Sequence, residues 1–215
     1  VAIVGSTGAG KTSVINLLNR FYEIDSGEIS IDGINIKDYK LSNLRKNIGI
    51  VLQDVFLFSD TIFNNITLKD ESISLNEVKL AAKQIGVHDF IMSLPNNYYY
   101  NVKERGIMLS SGQRQLIAFL RVYVSDPQIL ILDEATSSID STSELLIQNA
   151  TEKLTKNRTS LIIAHRLATI KKANNIIVMD SGNIIEQGSH KELISNMDGY
   201  YKKLYDVQFQ VKNVS

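Results

Sequence analysis

The sequence predicts an α/β fold: a mainly parallel sheet joined by crossover helices, with a helical subdomain inserted into it. Two observations lead there. Short apolar, β-rich runs alternate with helical stretches, the pattern of strands covered on both faces by helices. Between Asp70 and Ser125 that alternation stops, and helical patterning continues without a convincing strand.

The elements follow in order. Val1–Val4 is an unbroken apolar run and reads as a buried strand, followed by a glycine-rich turn and a helical stretch over Ser13–Phe21. Glu28–Asp32 sits beside glycines and reads as a hairpin-type strand, and Ile48–Leu52 as another buried one. Ser74 and Glu77 have capping-box spacing ahead of a helix through Ile85, and Pro95–Tyr100 reads as a loop. Ser110 and Gln113 repeat that spacing before a helix to about Val124. Ile129–Asp133, Ser160–Ala164 and Ile176–Asp180 are further strands, and Ile184–Glu186 is a second hairpin-type one. Ser189 with Glu192 caps another helix, and Tyr200–Phe209 patterns as a short amphipathic C-terminal helix. Because Val1–Val4 already reads as a strand, the chain is expected to begin inside a domain, as a fragment; no leader pattern follows Val1.

Composition narrows the function classes. Of 215 residues, 44% are hydrophobic and 21% charged, which excludes disorder as the dominant state. Lys plus Arg and Asp plus Glu are 23 each, so a net charge of zero gives no footing for nucleic acid as a partner or for a polybasic membrane surface. There is no cysteine, which excludes disulfide scaffolds, thiolate metal sites and cysteine nucleophiles. The longest apolar run, Leu116–Leu120, is far below the ~20 residues of a membrane span.

Gly5-Ser6-Thr7-Gly8-Ala9-Gly10-Lys11-Thr12 fits G-x-x-x-x-G-K-[ST] between a strand and a helix. Glycines let successive backbone N–H groups curl around an anion, and the helix start adds partial positive charge. Lys11 is placed to reach β- and γ-phosphates, and the Thr12 hydroxyl to ligate Mg²⁺. Such a loop alone leaves kinases, small GTPases, motors and transport ATPases open. Ile129-Leu130-Ile131-Leu132-Asp133-Glu134 narrows the field: Asp133 emerges at a buried strand's C-terminal end, where parallel sheets bind ligands, and can hold the Mg²⁺. Glu134 follows, placed to orient and deprotonate an attacking water.

Leu109-Ser110-Ser111-Gly112-Gln113, twenty residues before Asp133, resembles the LSGGQ signature of ATP-binding-cassette (ABC) nucleotide-binding domains, with Ser111 in place of the middle glycine. The other family motifs appear in order: Gln53 resembles the Q-loop glutamine, Ser138-Ile139-Asp140 the D-loop, and His165 the switch histidine. Glu104-Arg105-Gly106 is similar to the X-loop of exporters, and Ser26-Gly27-Glu28-Ile29, Leu57-Phe58-Ser59-Asp60-Thr61-Ile62 and Tyr200-Tyr201-Lys202-Lys203-Leu204 look like the same branch.

The resemblance implies a P-loop NTPase with a RecA-like core and a truncated antiparallel β subdomain. It implies a single nucleotide-binding domain over 1–215, with the core about 1–69 and 126–215 and the helical subdomain about 70–125. It further implies ATP and Mg²⁺ as ligands, with Gly5, Ser6, Thr7, Gly8, Ala9, Gly10, Lys11, Thr12, Ser13 and Gln53 contacting nucleotide and Thr12, Gln53 and Asp133 the metal. Glu134, His165, Gln53 and Lys11 would be catalytic. Ser110, Ser111, Gly112, Gln113 and Asp140 would reach nucleotide across a head-to-tail pair of domains. The implied partners are a second nucleotide-binding domain and a transmembrane domain, at the cytoplasmic face of the membrane, with Phe56–Phe58 and Tyr98–Glu104 as surface contacts; packing between core and helical subdomain is the alternative for those residues. The family's adenine-stacking aromatic would lie before this chain. A soluble ABC ATPase, an importer ATPase subunit and a weakly catalytic dimerisation module remain alternatives at this stage.

Overall fold

The computed structural model describes residues 1–134 and 141–207, with the side chains of residues 141 and 142 excepted. Its elements in chain order are β1 (Ala2–Gly5), α1 (Lys11–Leu18), β2 (Ser30–Ile31), β3 (Ile34–Asn35), α2 (Leu41–Asn47), β4 (Ile48–Val51), α3 (Ile62–Thr67), α4 (Leu75–Ile85), α5 (His88–Met92), α6 (Ser111–Ser125), β5 (Ile129–Asp133), α7 (Ser141–Thr155), β6 (Thr159–Ile163), α8 (Leu167–Lys172), β7 (Ile176–Asp180), β8 (Asn183–Gly188), α9 (His190–Ser195) and α10 (Tyr200–Tyr205). They group into two compact units. One holds Val1–Lys46, Ile131–Glu134 and the described residues from Ser160 on; the other holds Asn47–Leu130 and the described residues before Ser160.

In the first unit the strand order is β5-β6-β1-β7-β8. β1 runs parallel to β6 (Ala2↔Ile162, Ile3↔Ile163) and to β7 (Ala2↔Ile176 through Gly5↔Met179). All four residues of β1 are buried, as an inner parallel strand requires, and this explains its unbroken apolar run. Ile3, Ala9 and Met179 pack together, with Val14, Leu161 and Ile177 against them. β8 returns antiparallel on β7 across a two-residue turn, where Ser181 and Gly182 both have positive φ, as a type I′ hairpin needs. Asp32 and Gly33 make the same kind of turn between β2 and β3.

α1 begins at Lys11, two residues before the sequence expectation, because the loop's lysine already lies in the first turn. It ends at Leu18 rather than Phe21: the Asn19 side chain donates to the Ile15 carbonyl (2.9 Å) and Arg20 turns left-handed. α10 starts where expected, its Tyr200 and Tyr201 N–H groups donating to the Glu186 carboxylate at 3.0 and 2.7 Å. Phe209, the expected end of that helix, lies outside the described residues.

The second unit holds β4 and is otherwise mainly helical. The capping boxes at Ser74–Glu77 and Ser110–Gln113 both form. Tyr98, expected at the surface, is instead buried, because its hydroxyl finds a partner in His88 Nδ1 at 2.8 Å; Tyr99 beside it stays exposed. The loop leading into α3 hangs on one side chain. Fully buried Asn65 accepts from the Phe58 N–H (2.8 Å) and donates to the carbonyls of Phe58 and Thr61 (both 3.0 Å).

Replacing Asn65 with Ala strands those backbone groups. The expected cost is about 2–3 kcal/mol of stability, read as a lowered urea midpoint. An unchanged midpoint would show that the loop does not depend on this side chain.

Candidate active site

The phosphate loop is shaped by what lies beneath it. A Cβ on Gly5 would stand 2.2 Å from the Met179 carbonyl oxygen of β7, so only glycine lets the chain leave β1 here. The Gly182 N–H donates to the Ala9 carbonyl (3.1 Å), the Ala9 N–H to the Ser6 carbonyl (3.2 Å), and Ser6 Oγ to Asp180 Oδ1 (3.4 Å). The β7–β8 turn thus props the loop from below. Gly10, with φ 97°, enters α1 without a side-chain cap, leaving the first-turn N–H groups without one. Thr7, Gly8, Thr12 and Ser13 face solvent.

Lys11 is buried, and its ammonium donates to the carbonyls of Gly5 (2.9 Å) and Ser6 (2.8 Å). Burial lowers its proton affinity, and the negative charge of Asp133 works against that. Asp133 ends β5 and Glu134 follows it, both buried. The Glu134 N–H donates to the Ile163 carbonyl (3.1 Å), fixing the end of β5 against the end of β6. Its carboxylate accepts three hydrogen bonds. Oε2 accepts from the backbone N–H groups of His165 and Arg166, both at 3.1 Å, and Oε1 accepts from the Thr169 hydroxyl at 2.5 Å. Burial pushes the Glu134 carboxyl above the usual carboxylate range, while those three donors and the Arg166 charge pull it back. The His165 imidazole is held below the usual histidine range by burial and then by the Lys11 charge, so it is mostly neutral at pH 7.

Two of the cation ligands expected from the sequence, the Thr12 hydroxyl and the Asp133 carboxylate, are hard oxygens, and no cluster of three or more His, Cys, Asp or Glu that could hold a metal occurs among the described residues. That set fits Mg²⁺, which takes one or two protein ligands and completes its shell with phosphate and water.

The second unit presents the remaining predicted residues. Gln53 follows β4 and is exposed. Ser110 caps α6: its Oγ accepts the Gln113 N–H (3.2 Å) and its own N–H donates to Gln113 Oε1 (2.9 Å). Ser111 is the first helical residue, a position that any L-residue occupies without strain, and Gly112 is buried behind it. Asp140 lies outside the described residues, as do Ser138 and Ile139. A groove of about 780 Å³ in this unit is lined by Leu52, Phe56, Phe58, Leu68 and Arg121 among others. Phe56 and Phe58 are exposed there and meet edge to face, with centroids 5.1 Å apart. Arg121 donates to the Asn65 (2.8 Å) and Phe56 (3.4 Å) carbonyls beside them.

Sequence reasoning missed Thr169 and Asp180. Neither belongs to a spacing pattern; each acts only because the fold returns its strand end or helix turn to a loop far away in sequence.

The imidazoles set a pH dependence. Burial and then a nearby lysine hold His165 and His190 below the ordinary histidine value, so the folded chain binds protons there less readily than the unfolded chain. Above about pH 6.5 neither state is protonated and nothing is lost; below it the unfolded state takes protons first and stability falls. Urea midpoints at pH 7.5 and 5.5 are therefore expected to differ less for His165→Gln than for the parent chain. An identical drop in both would remove His165 from that linkage.

Comparison with known proteins places this geometry. The ABC transporter family pattern matches residues 1–137. A protein of Staphylococcus aureus strain NCTC 8325 named for multidrug export, an ATP-binding/permease protein, is 50% identical over 208 residues, 97% of this chain and 36% of its own length. The counterpart in the bovine strain RF122 matches at 50% identity with the same coverage. A solved bacterial Atm1-family ABC exporter with ATP bound superposes with a TM-score of 0.88 and 43% identity, covering 97% of this chain and 36% of that one. This chain thus spans about a third of these relatives, and no helix among its described residues is long and apolar enough to cross a membrane. With the family pattern over more than half its length and half its residues shared with the curated relatives, the chain belongs to the ABC transporter family.

Proposed function

We propose that this chain is the ATP-hydrolysing domain of a transporter, and that ATP binding and hydrolysis in it power export of a substrate across a membrane. One observation carries the reading: a single compact unit holds a buried lysine in a phosphate loop, a buried Asp133–Glu134 pair at a strand end, and a mostly neutral His165. The names of the similar proteins, multidrug export proteins and an exporter with ATP bound, favour export over other uses of ATP.

In this mechanism the loop N–H groups from Gly8 to Ser13 wrap the phosphate chain, and Lys11 exchanges its two carbonyl acceptors for β- and γ-phosphate oxygens. Thr12 and Asp133, with Gln53, would hold Mg²⁺, which when bound neutralises charge on the phosphates. Glu134 takes a proton from the water whose oxygen attacks the γ-phosphorus. The bond from that phosphorus to the β–γ bridging oxygen breaks, its electron pair leaving with ADP, and inorganic phosphate is the other product. A carboxyl with raised proton affinity suits a base working near neutral pH. The His165 side chain contacts the γ-phosphate, and its backbone N–H helps to hold Glu134.

The chain acts as one nucleotide-binding domain, its core about 1–69 and 126–215 and its helical subdomain about 70–125. Two such domains pair head to tail, so that Ser110, Ser111, Gly112, Gln113 and Asp140 of one reach the nucleotide of the other. Closure supplies extra donors to the γ-phosphate and excludes water, which strengthens each electrostatic contact. The transmembrane domain docks on the groove, where the exposed Phe56–Phe58 pair supports an apolar contact. The domain works at the cytoplasmic face of the membrane, and its zero net charge argues against a nucleic-acid partner.

Glu134→Gln tests the reading, because an amide cannot take the proton. The variant is expected to bind ATP as the parent does, to release no phosphate, and to sediment as a dimer with Mg-ATP and as a monomer without it. Phosphate release at the parent rate would remove Glu134 as the base, and a monomer under both conditions would contradict ATP-driven pairing.

A further inference from the structure

We propose that Thr169 is a positioning residue for hydrolysis, holding the Glu134 carboxylate in the single orientation from which it takes the proton of the attacking water. The inference deepens the proposed function and rests on its assignment of Glu134 as the base.

The geometry is one-sided without Thr169. Both backbone donors, the N–H groups of His165 and Arg166, reach the same oxygen, Oε2, at 3.1 Å. The other oxygen, Oε1, accepts from the Thr169 hydroxyl at 2.5 Å. Two donors on one oxygen act as a pivot, about which the carboxylate plane can still turn through its soft terminal torsion. A donor on the second oxygen stops that rotation. Threonine suits this task because its β-branched side chain is restricted at χ1, so its hydroxyl is aimed rather than searching. The residue lies in the first turn of α8, where its own N–H donates to the Arg166 carbonyl (3.1 Å). The strand end, the turn at His165–Arg166 and the helix therefore lock one carboxylate from both sides. With its three donors placed, the buried carboxylate keeps further lone-pair capacity for a water hydrogen. Thr169 touches neither substrate nor water in this account; it acts through Glu134.

Holding a reacting group in orientation lowers the barrier of the chemical step and leaves substrate binding alone. Thr169→Val, nearly isosteric, is therefore expected to lower the single-turnover rate constant for Mg-ATP hydrolysis by about tenfold while the ATP concentration at half-saturation stays within about twofold. Thr169→Ser, which restores the hydroxyl, is expected to recover most of the rate. The single-turnover rate constant is read with enzyme in saturating excess over ATP, where loss of part of the folded protein no longer changes it, so general destabilisation does not mimic the effect. A Val variant as fast as the parent, or a Ser variant as slow as the Val variant, overturns the inference. Glu134→Gln is run beside them. If it hydrolyses ATP at the parent rate, or the parent itself does not hydrolyse ATP, the assignment of the base fails. If the parent is active, Glu134→Gln is inert and Thr169→Val matches the parent, the positioning role alone fails.

Discussion

The first unit is organised around an ammonium that has been taken out of water. Lys11 is buried, and a buried charge is tolerated only with hydrogen-bond acceptors and an opposing charge close by. Its acceptors are carbonyls of its own loop, which must curl back to offer them. That curl needs Gly5, because the Met179 carbonyl leaves no room for a side chain, and it needs the β7–β8 turn pressed beneath Ala9. The opposing charge comes from Asp133 at the end of β5. Parallel strand order brings these ends together: β1 lies beside β6 and β7, and the Glu134–Ile163 bond ties β5 to β6 where both finish. Sheet order, loop shape and charge placement are therefore parts of one arrangement.

Glu134 faces a different version of the same problem. Its burial favours the neutral acid, while the Thr169 hydroxyl, two backbone amides and the Arg166 charge favour the carboxylate. The balance leaves a carboxyl that holds a proton more readily than one in water, yet in a fixed frame. Lys11 works on the other side of the site as well, since its charge helps to keep the His165 imidazole neutral. A neutral imidazole retains one ring nitrogen as donor and one as acceptor, which a protonated ring would not.

Much of this was legible in the sequence because it is written locally. Ile129–Asp133 reads as a buried strand from its four apolar residues and matches β5 residue for residue. The three capping boxes, at Ser74, Ser110 and Ser189, are i to i+3 pairs and need no tertiary information. The phosphate loop and the Asp133–Glu134 pair carry their chemistry in adjacent residues. What escaped was non-local. Thr169 lies 35 residues from Glu134 and Asp180 lies 174 from Ser6, so only the return of the strands brings them together. Tyr98, the first of three consecutive tyrosines, reads as a surface residue, but His88, ten residues away, gives its hydroxyl a partner in the interior. The start of α1 was misplaced because glycine at Gly10 disguises a helix entry that has no side-chain cap.

The central claim is that this site holds a phosphate chain through Lys11 and the loop amides. Competition against a fluorescent ATP analogue in the presence of Mg²⁺ tests it most directly. ATP and ADP are expected to displace the analogue while adenosine, at the same concentration, does not. Adenosine competing as well as ATP would contradict it, because the binding would then belong to the base and sugar and not to the loop.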